Sequence, residues 1–366
     1  MYNKDKRVVM TLDAGGTNFV FSAVQGDKEI VEPIRHPSHA DNLVNCLSTI
    51  ERGFNEVKSK LDVAPVAISF AFPGPADYFT GIIGDLPNFP SFRGGVALAP
   101  FLQERFGMPV FINNDGNLFA YGEAICGALP EVNRMLEEAG STKRYHNLLG
   151  VTLGTGFGGG VVINQRLLIG DNSCGGDVWC FRNKLFPDMI AEESVSIRAV
   201  KRVYKELSGD SSDLTPKDIF DIAEGTRDGN KAAAVGSFET LGEVAGDVIA
   251  NALNIVDGIV VIGCGLSGAA KYIVPAIVRE MNGKIGTFDG SRFPRLQLTP
   301  YNLGDEAQRK AFLADDSKMI AVPFSETRVN YSDIRKTGVM LSTLGTSRAM
   351  AMGAYAFALS KLDNIQ

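Results

Sequence analysis

Three glycine-rich turns, each following an apolar run, are the parts of this chain best suited to chemistry. The first is Asp13-Ala14-Gly15-Gly16-Thr17-Asn18, after Val8-Val9-Met10-Thr11-Leu12. The second is Gly154-Thr155-Gly156-Phe157-Gly158-Gly159-Gly160, after Leu148-Leu149-Gly150-Val151-Thr152-Leu153. The third is Gly263-Cys264-Gly265-Leu266-Ser267-Gly268, after Ile259-Val260-Val261-Ile262. Glycines, lacking Cβ, let backbone N–H groups close on an anion, and hydroxyls such as those of Thr17 and Thr155 add donors. A carboxylate inside a phosphate loop is repelled by its ligand unless a cation lies between them, so Asp13 implies Mg2+. The order and spacing of the turns predict two half-sites for one nucleotide. Asp13, Gly15, Gly16 and Thr17 belong to one half; Gly154, Thr155, Gly156, Gly159, Gly263 and Gly265 belong to the other. Asp115 ends the apolar strand Val110-Phe111-Ile112, inside Asn113-Asn114-Asp115-Gly116-Asn117. A carboxylate there can take the proton of a hydroxyl whose oxygen attacks a γ-phosphate. The same place suits a helix N-cap, and the two uses are compatible. Alternatives for the first two turns are plain hairpins, the first with Gly15-Gly16 at positive φ.

The third turn also fits the dinucleotide pattern Gly-x-Gly-x-x-Gly, with a strand before it and a helix after. That fingerprint needs a second strand ending in an acid about 20 residues on. Here Asn282-Gly283-Lys284-Ile285-Gly286 follows the helix instead, and Asp13 and Asp115 would be left without a role.

The elements that must position these residues alternate between strand and helix. Residues 7–13, 19–24 and 29–32 read as a β-meander, followed by a helix over 40–60 and a strand over 66–71. A helix over 96–106, a strand over 109–113 and a helix over 118–126 come next. Strands over 148–153 and 160–163 open a second block, with helices over 194–207, 216–224 and 231–256, a strand over 258–262 and a helix over 267–281. Two blocks that each open with a meander around a glycine loop suggest a duplicated unit. The stretch 285–336 is richer in polar and turn residues and reads as an elaboration. The last helix, 346–362, carries Ala349, Ala351, Gly353, Ala354 and Ala356, which permit close packing.

Composition agrees with a soluble enzyme. The 366 residues suffice for two domains, with 45% hydrophobic and 21% charged residues. A formal charge of −6 offers no basic field for nucleic acid or an anionic membrane. The polar start, residues 1–7, runs into a strand, so no signal peptide is expected. No helix candidate is long and apolar enough to span a bilayer. Five widely spaced cysteines point to reduced thiols in the cytoplasm.

The chain resembles the ROK family (repressors, uncharacterised frames and sugar kinases) of the hexokinase/actin/heat-shock-70 superfamily. The resemblance covers nearly the whole chain. It rests on Asp13-Ala14-Gly15-Gly16-Thr17, Phe72-Pro73-Gly74-Pro75-Ala76-Asp77, Leu86-Pro87-Asn88-Phe89, Asn113-Asn114-Asp115-Gly116-Asn117, Gly154-Thr155-Gly156 and Val261-Ile262-Gly263-Cys264-Gly265. It implies an α/β fold of two ribonuclease H-like, actin-like ATPase domains with a cleft between them. Residues 1–115 would form the smaller domain, with the 346–366 helix packed back on it, and 116–345 the larger. The implied reaction is ATP-dependent phosphorylation of a hexose or hexose derivative at a primary hydroxyl, with closure of the domains excluding water. Asp115 would be the base, Asn114 would hold sugar hydroxyls, and the third turn would approach the adenosine. Gly74 would shape a turn lining the sugar site, and Asn88 is a sugar contact or a plain turn residue. Glu192, in Ala191-Glu192-Glu193-Ser194, matches a family Glu-x-x-x-Ser helix start and would be a sugar ligand. Its bland alternative is an acid favoured near a helix N-terminus. A homodimer fits the family.

The chain also departs from the pattern. Most ROK kinases carry Gly-Glu-x-Gly-His and then three cysteines that hold zinc with the His. Here the segment reads Cys174-Gly175-Gly176-Asp177-Val178-Trp179-Cys180, so Asp177 replaces the Glu and Cys180 the His. No cysteine follows before Cys264, and a tetrahedral site needs four ligands, so no structural zinc is expected. A thiol hydrogen-bonds weakly compared with imidazole, and Asp reaches less far than Glu. Glucose is therefore expected to be a poor acceptor and an epimer or derivative a better one. Trp179, the only tryptophan, is a core residue or a reporter of binding. Two other readings stand beside the kinase: a sugar-sensing regulator, for which the first loop at Asp13 leaves no room for a preceding helix-turn-helix, and a non-catalytic sugar or nucleotide binder.

Overall fold

The computed structural model describes residues 2, 4–74, 76–84 and 89–364. Asn88, with Leu86, Pro87 and Pro75, lies outside the described residues. Strands β1 (Val8–Ala14) and β2 (Asn18–Gln25) form a hairpin paired from Val8↔Gln25 to Ala14↔Phe19. The short strands β3 (Lys28–Glu29) and β4 (Ile34–Pro37) both add to β2. Helix α1 (Leu43–Ser59) starts at Asn42, whose side chain accepts from the Asn45 N–H at 3.0 Å. Strand β5 (Ala67–Ala71) lies parallel to β1. A small antiparallel flap follows, of β6 (Ala76–Asp77), β7 (Ile82–Ile83) and β8 (Val96–Ala97). Helix α2 (Leu98–Phe106) ends on Gly107 at φ 64°. Strand β9 (Val110–Asn113) then pairs parallel with β5, giving the order β3-β2-β1-β5-β9.

Helix α3 (Asp115–Ile125) begins three residues before the expected start at Leu118, because Asn114 caps it. Helix α4 (Ala128–Glu138) has no counterpart among the expected elements, although Ala128, Leu129, Val132 and Leu136 line up on one buried face. Strands β10 (Leu148–Leu153), β11 (Phe157–Ile163) and β12 (Arg166–Leu167) follow. Helices α5 (Ile197–Ser208), α6 (Pro216–Glu224) and α7 (Lys231–Val256) precede β13 (Ile259–Cys264) and α8 (Ala270–Met281). The elaboration holds two isolated hairpins, β14 (Lys284–Gly286) with β15 (Arg292–Pro294) and β17 (Lys318–Ala321) with β18 (Arg328–Tyr331). Between them lie β16 (Thr299–Asn302) and α9 (Glu306–Leu313). Strand β19 (Lys336–Leu341) and helix α10 (Thr346–Asn364) close the described chain.

These elements form two compact units. The first comprises Met1–Pro130, Gly159–Asp177 and Ser342–Gln366; the second comprises Glu131–Gly158 and Val178–Leu341. The division thus falls after Pro130 rather than after Asp115, because α3 packs against α10 inside the first unit. A Cβ on Gly122 would lie 1.9 Å from the Ala349 carbonyl oxygen, and one on Gly353 would lie 1.8 Å from that of Leu118. Only hydrogen at both positions lets the two helix backbones touch.

The core of the first unit is a phenylalanine cluster. Phe21 meets Phe54 edge-on at 5.2 Å, and Phe72 packs on Phe89 at 4.9 Å and Phe92 at 5.5 Å. Phe72 directly precedes Pro73-Gly74, so this core anchors the turn at the end of β5. In the second unit β10, β13, β19 and β16 lie side by side, all parallel, with α7 packed on α8. Among the described residues no helix is long and apolar enough to cross a membrane.

Candidate active site

In the first unit three parallel strands end together. Register pairs Asp13 with Ala71 and Ala71 with Asn113, so the ends of β1, β5 and β9 lie in one row. At roughly 4.8 Å per strand, Asp13 and Asn113 stand roughly 10 Å apart on neighbouring-but-one strands. The carboxyl ends of parallel strands are where open α/β sheets place ligands. The first glycine loop, the Pro73-Gly74 turn and Asn114-Asp115 all leave the sheet from this row.

The loop after β1 is a tight hairpin, with the Gly15 N–H donating to the Asn18 carbonyl at 3.1 Å. Neither Gly15 nor Gly16 has positive φ, so handedness does not call for these glycines. A Cβ on Gly15 would come within 2.9 Å of the Asn18 oxygen, so closeness does. Gly15, Gly16 and Thr17 are exposed, and Asp13 is half-buried beneath them.

The N-cap of α3 is Asn114, not Asp115. The Asn114 Oδ1 accepts from the Gly116 N–H at 2.8 Å, and Asp115, the first helical residue, accepts from the same N–H at 2.8 Å. Asn113, fully buried, fixes the approach: its Oδ1 accepts from the Asn114 N–H at 2.7 Å and the Asn117 Nδ2 at 3.1 Å. Solvent reaches the Asp115 side chain, yet crowding by surrounding protein raises its pKa above the ordinary carboxylate value. Backbone N–H groups oppose that rise, and the negative charge of Asp13 adds to it. The two carboxylates therefore sense each other, which is the arrangement that a cation relieves.

Tyr78 is the site residue that sequence reasoning missed. Its hydroxyl donates to the Phe72 carbonyl at 2.9 Å and hydrogen-bonds the Asn114 side chain. Burial raises its pKa, and the charges of Asp115 and Asp177 raise it further. A Cβ on Gly74 would sit 3.1 Å from that hydroxyl, so Gly74 leaves room for the ring to reach Asn114. The available signal was its place one residue after Pro73-Gly74-Pro75-Ala76-Asp77.

Asp177 reaches this neighbourhood through a stack of glycines. A Cβ on Gly116 would lie 2.4 Å from the Gly159 oxygen, and one on Gly160 would lie 2.5 Å from the Gly116 oxygen. Gly176, at φ 93°, is built against Gly160 with its hypothetical Cβ 2.9 Å from the Gly160 Cα. Backbone thus lies on backbone, and the next residue is Asp177. Cys174 and Cys180 are exposed thiols outside any disulfide. Trp179 is exposed, not a core residue.

The second unit brings its own residues together. The Gly154–Gly156 turn closes with the Gly154 N–H donating to the Gly156 oxygen at 3.1 Å, and Thr155 is exposed. Glu192 lies on this turn: its Oε2 accepts from the Phe157 N–H at 3.0 Å, and its Oε1 lies 3.5 Å from Arg198. The Ile197 N–H donates to the Gly154 oxygen at 2.9 Å, tying the start of α5 to the same loop. Glu192, expected as a sugar ligand, is thus engaged in shaping the second glycine loop, with lone pairs left over. The third turn meets the second. Strands β10 and β13 end in register, Leu153 opposite Cys264, and the Gly265 N–H donates to the Leu153 oxygen at 2.9 Å.

Comparison with known proteins shows what the chain is similar to. The model of the ROK family matches residues 9–178. A glucokinase from Parabacteroides distasonis, known from a crystal structure, is 59% identical, with a TM-score of 0.89 over 98% of this chain and 99% of that one. A glucokinase from Thermotoga maritima is 30% identical over 174 residues, 47% of this chain and about half (50%) of that protein. An N-acetyl-D-glucosamine kinase from Vibrio parahaemolyticus is 26% identical over 77% of this chain and 97% of its own length.

Proposed function

Because this chain belongs to the ROK family, we propose that it transfers the γ-phosphoryl group of ATP to a hydroxyl of a hexose or hexose derivative, with Asp115 as the base. Its class is that of a sugar kinase, given the 59% identical glucokinase that matches it end to end. The observation that carries the finer reading is the row of strand ends in the first unit. There Asp115 stands with Asp13, Asn114, Tyr78 and Asp177 in one electrostatic neighbourhood.

The roles follow from the groups present. Asp115, in its ionised form, takes the proton from the attacking hydroxyl and holds that oxygen in line. Asn114 and Asp177 bind further hydroxyls, and Gly74 shapes the turn beneath Tyr78. The loops at Asp13–Thr17 and Gly154–Gly159, with Gly263 and Gly265 beside the latter, offer backbone N–H groups to the nucleotide. Glu192 holds the second loop in shape and keeps acceptor capacity for sugar. Mg2+ fits on Asp13, through water, because two mutually repelling carboxylates there favour a cation; it would offset the phosphate charge. Free thiols at Cys46, Cys126, Cys174 and Cys180 suit a cytoplasmic setting.

Two acceptors lead. The name of the 59% identical relative favours glucose, whereas Asp177 and Cys180 favour an epimer or an N-acetylated hexose. Sugar-dependent ADP release across glucose, mannose, fructose and N-acetylhexosamines decides between them. Absence of ADP release with every sugar, from protein that binds ATP, would establish the non-catalytic binder instead.

A further inference from the structure

A cavity in the first unit stands apart from the residues of the proposed reaction. It runs along β9, the last strand in the order β3-β2-β1-β5-β9, whose outer edge has no strand partner. Residues 110–113 of that strand line a space of about 150 Å³, and the flap, α2 and α10 close around it. Phe79, Ala99, Ile112 and Phe357 give it apolar walls. Asp115, Asn114, Asp177 and Gly74 do not line it.

Two of its polar groups have no partner. Asn113 is fully buried, and its Nδ2 makes no hydrogen bond. The orientation of that amide is fixed, because its Oδ1 accepts from the Asn114 N–H at 2.7 Å and from the Asn117 Nδ2 at 3.1 Å. A backbone N–H can only donate, so the group left over is the NH2 donor. The Ser173 hydroxyl, in the same cavity, is likewise buried and unpartnered, and its residue has φ 58°. A side chain in the left-handed region and an orphaned buried hydroxyl each cost free energy. Lys361 also lines the cavity, its Nζ 5.3 Å from the centre of the Phe357 ring. Among the described residues no acidic side chain does.

We propose that this cavity binds a small carboxylic acid with a compact apolar body, and that the bound acid steadies Asn113. An amide donor, a hydroxyl and an ammonium between apolar walls call for acceptor oxygens, a negative charge and a hydrocarbon in one ligand. A cavity of this volume holds benzene, which sets the size of the apolar part. A sugar would leave the charge of Lys361 unanswered and set hydroxyls against Phe79, Ile112 and Phe357. The consequence for the enzyme passes through one side chain. Asn113 directs both Asn114 and Asn117, so a ligand on its free donor steadies the start of α3. That regulatory link to sugar binding rests on the kinase reading; the site itself does not.

The test is calorimetric binding of benzoate to the natural protein, with benzyl alcohol as an uncharged probe of similar shape. Benzoate should bind, and benzyl alcohol should bind more weakly by on the order of tenfold. Lys361→Glu should weaken benzoate by on the order of tenfold or more, whereas Lys361→Arg should retain it. Ser173→Gly accepts positive φ, so it should weaken benzoate without lowering the melting temperature. Asp115→Asn should bind benzoate as the natural protein does. Amide exchange over residues 114–118, which do not line the cavity, should slow when benzoate is bound. No benzoate binding, equal binding of benzyl alcohol, or full binding by Lys361→Glu would each overturn the proposal. So would loss of binding in Asp115→Asn, which would put the acid in the sugar site, or exchange that benzoate leaves unchanged. None of these readouts uses turnover, so a sugar panel without activity would not decide them.

Discussion

Asp115 must be basic enough to accept a proton, and its surroundings pull its pKa in that direction. Crowding and the charge of Asp13 push it up, which makes the carboxylate a better base while delaying its ionisation. Asp115→Asn should cut turnover on the order of 10²–10⁴-fold while leaving nucleotide binding in place. Its effect on stability has a defined sign. A carboxyl whose pKa is higher folded than unfolded binds more protons in the native state, so it costs stability once pH rises above its unfolded pKa. Melting of the variant at neutral pH should therefore equal or exceed that of the natural protein, and a lower melting temperature would assign Asp115 a structural role. In the natural enzyme kcat/KM should fall as pH drops through the raised pKa. Asp13→Asn, besides weakening turnover with Mg·ATP, should move that acid limb to lower pH, because a like charge is removed. At Asp177 and Cys180 the question is specificity. Asp177→Glu with Cys180→His should change the ranking of hexoses in kcat/KM, since polar contacts to hydroxyls discriminate more strongly than apolar fit. An unchanged ranking would show that this segment does not choose the sugar.

At the scale of elements, glycine at a contact decides how closely two backbones approach. Gly353→Ala would drive a methyl into the Leu118 carbonyl, so α3 and α10 must move apart. The expected cost is about 1–3 kcal/mol or more, read as a lower denaturation midpoint with intact circular dichroism. The loops themselves were legible in the sequence because strand–Gly–helix punctuation is local: β1, β9, β10 and β13 end where their apolar runs end. Asn114 and Asp115 were legible for the same reason. Tyr78 was not, because its importance depends on a flap folding its ring over Gly74. Nor was the route of Asp177, which depends on Gly116, Gly160 and Gly176 meeting from three separate stretches of chain. Helix α4 was overlooked although its buried stripe obeys the helical period. The hairpins of the elaboration escaped because their apolar residues face water, the reverse of the alternation that marks a half-buried strand.

At the scale of the molecule, the first unit is assembled from three separated pieces of chain, and the last is the most consequential. Helix α10 packs on α3, β5, β1 and β9, and it buries Tyr355 and Phe357 there. Tyr355 also accepts from the Gly26 N–H at 2.9 Å, joining the two ends of the sequence. A ribosome making this protein releases β1, the phenylalanine strands and β9 long before the helix that covers them exists. The sheet that will carry Asp13 and Asp115 must wait, apolar face uncovered, while some two hundred further residues are made. The nascent chain is thus a natural client for a holding chaperone, and a chain stopped before Thr346 never leaves that condition. Such a truncation should accumulate as aggregate, and adding residues 342–366 in trans as a separate peptide should recover soluble protein if this waiting sheet is the cause.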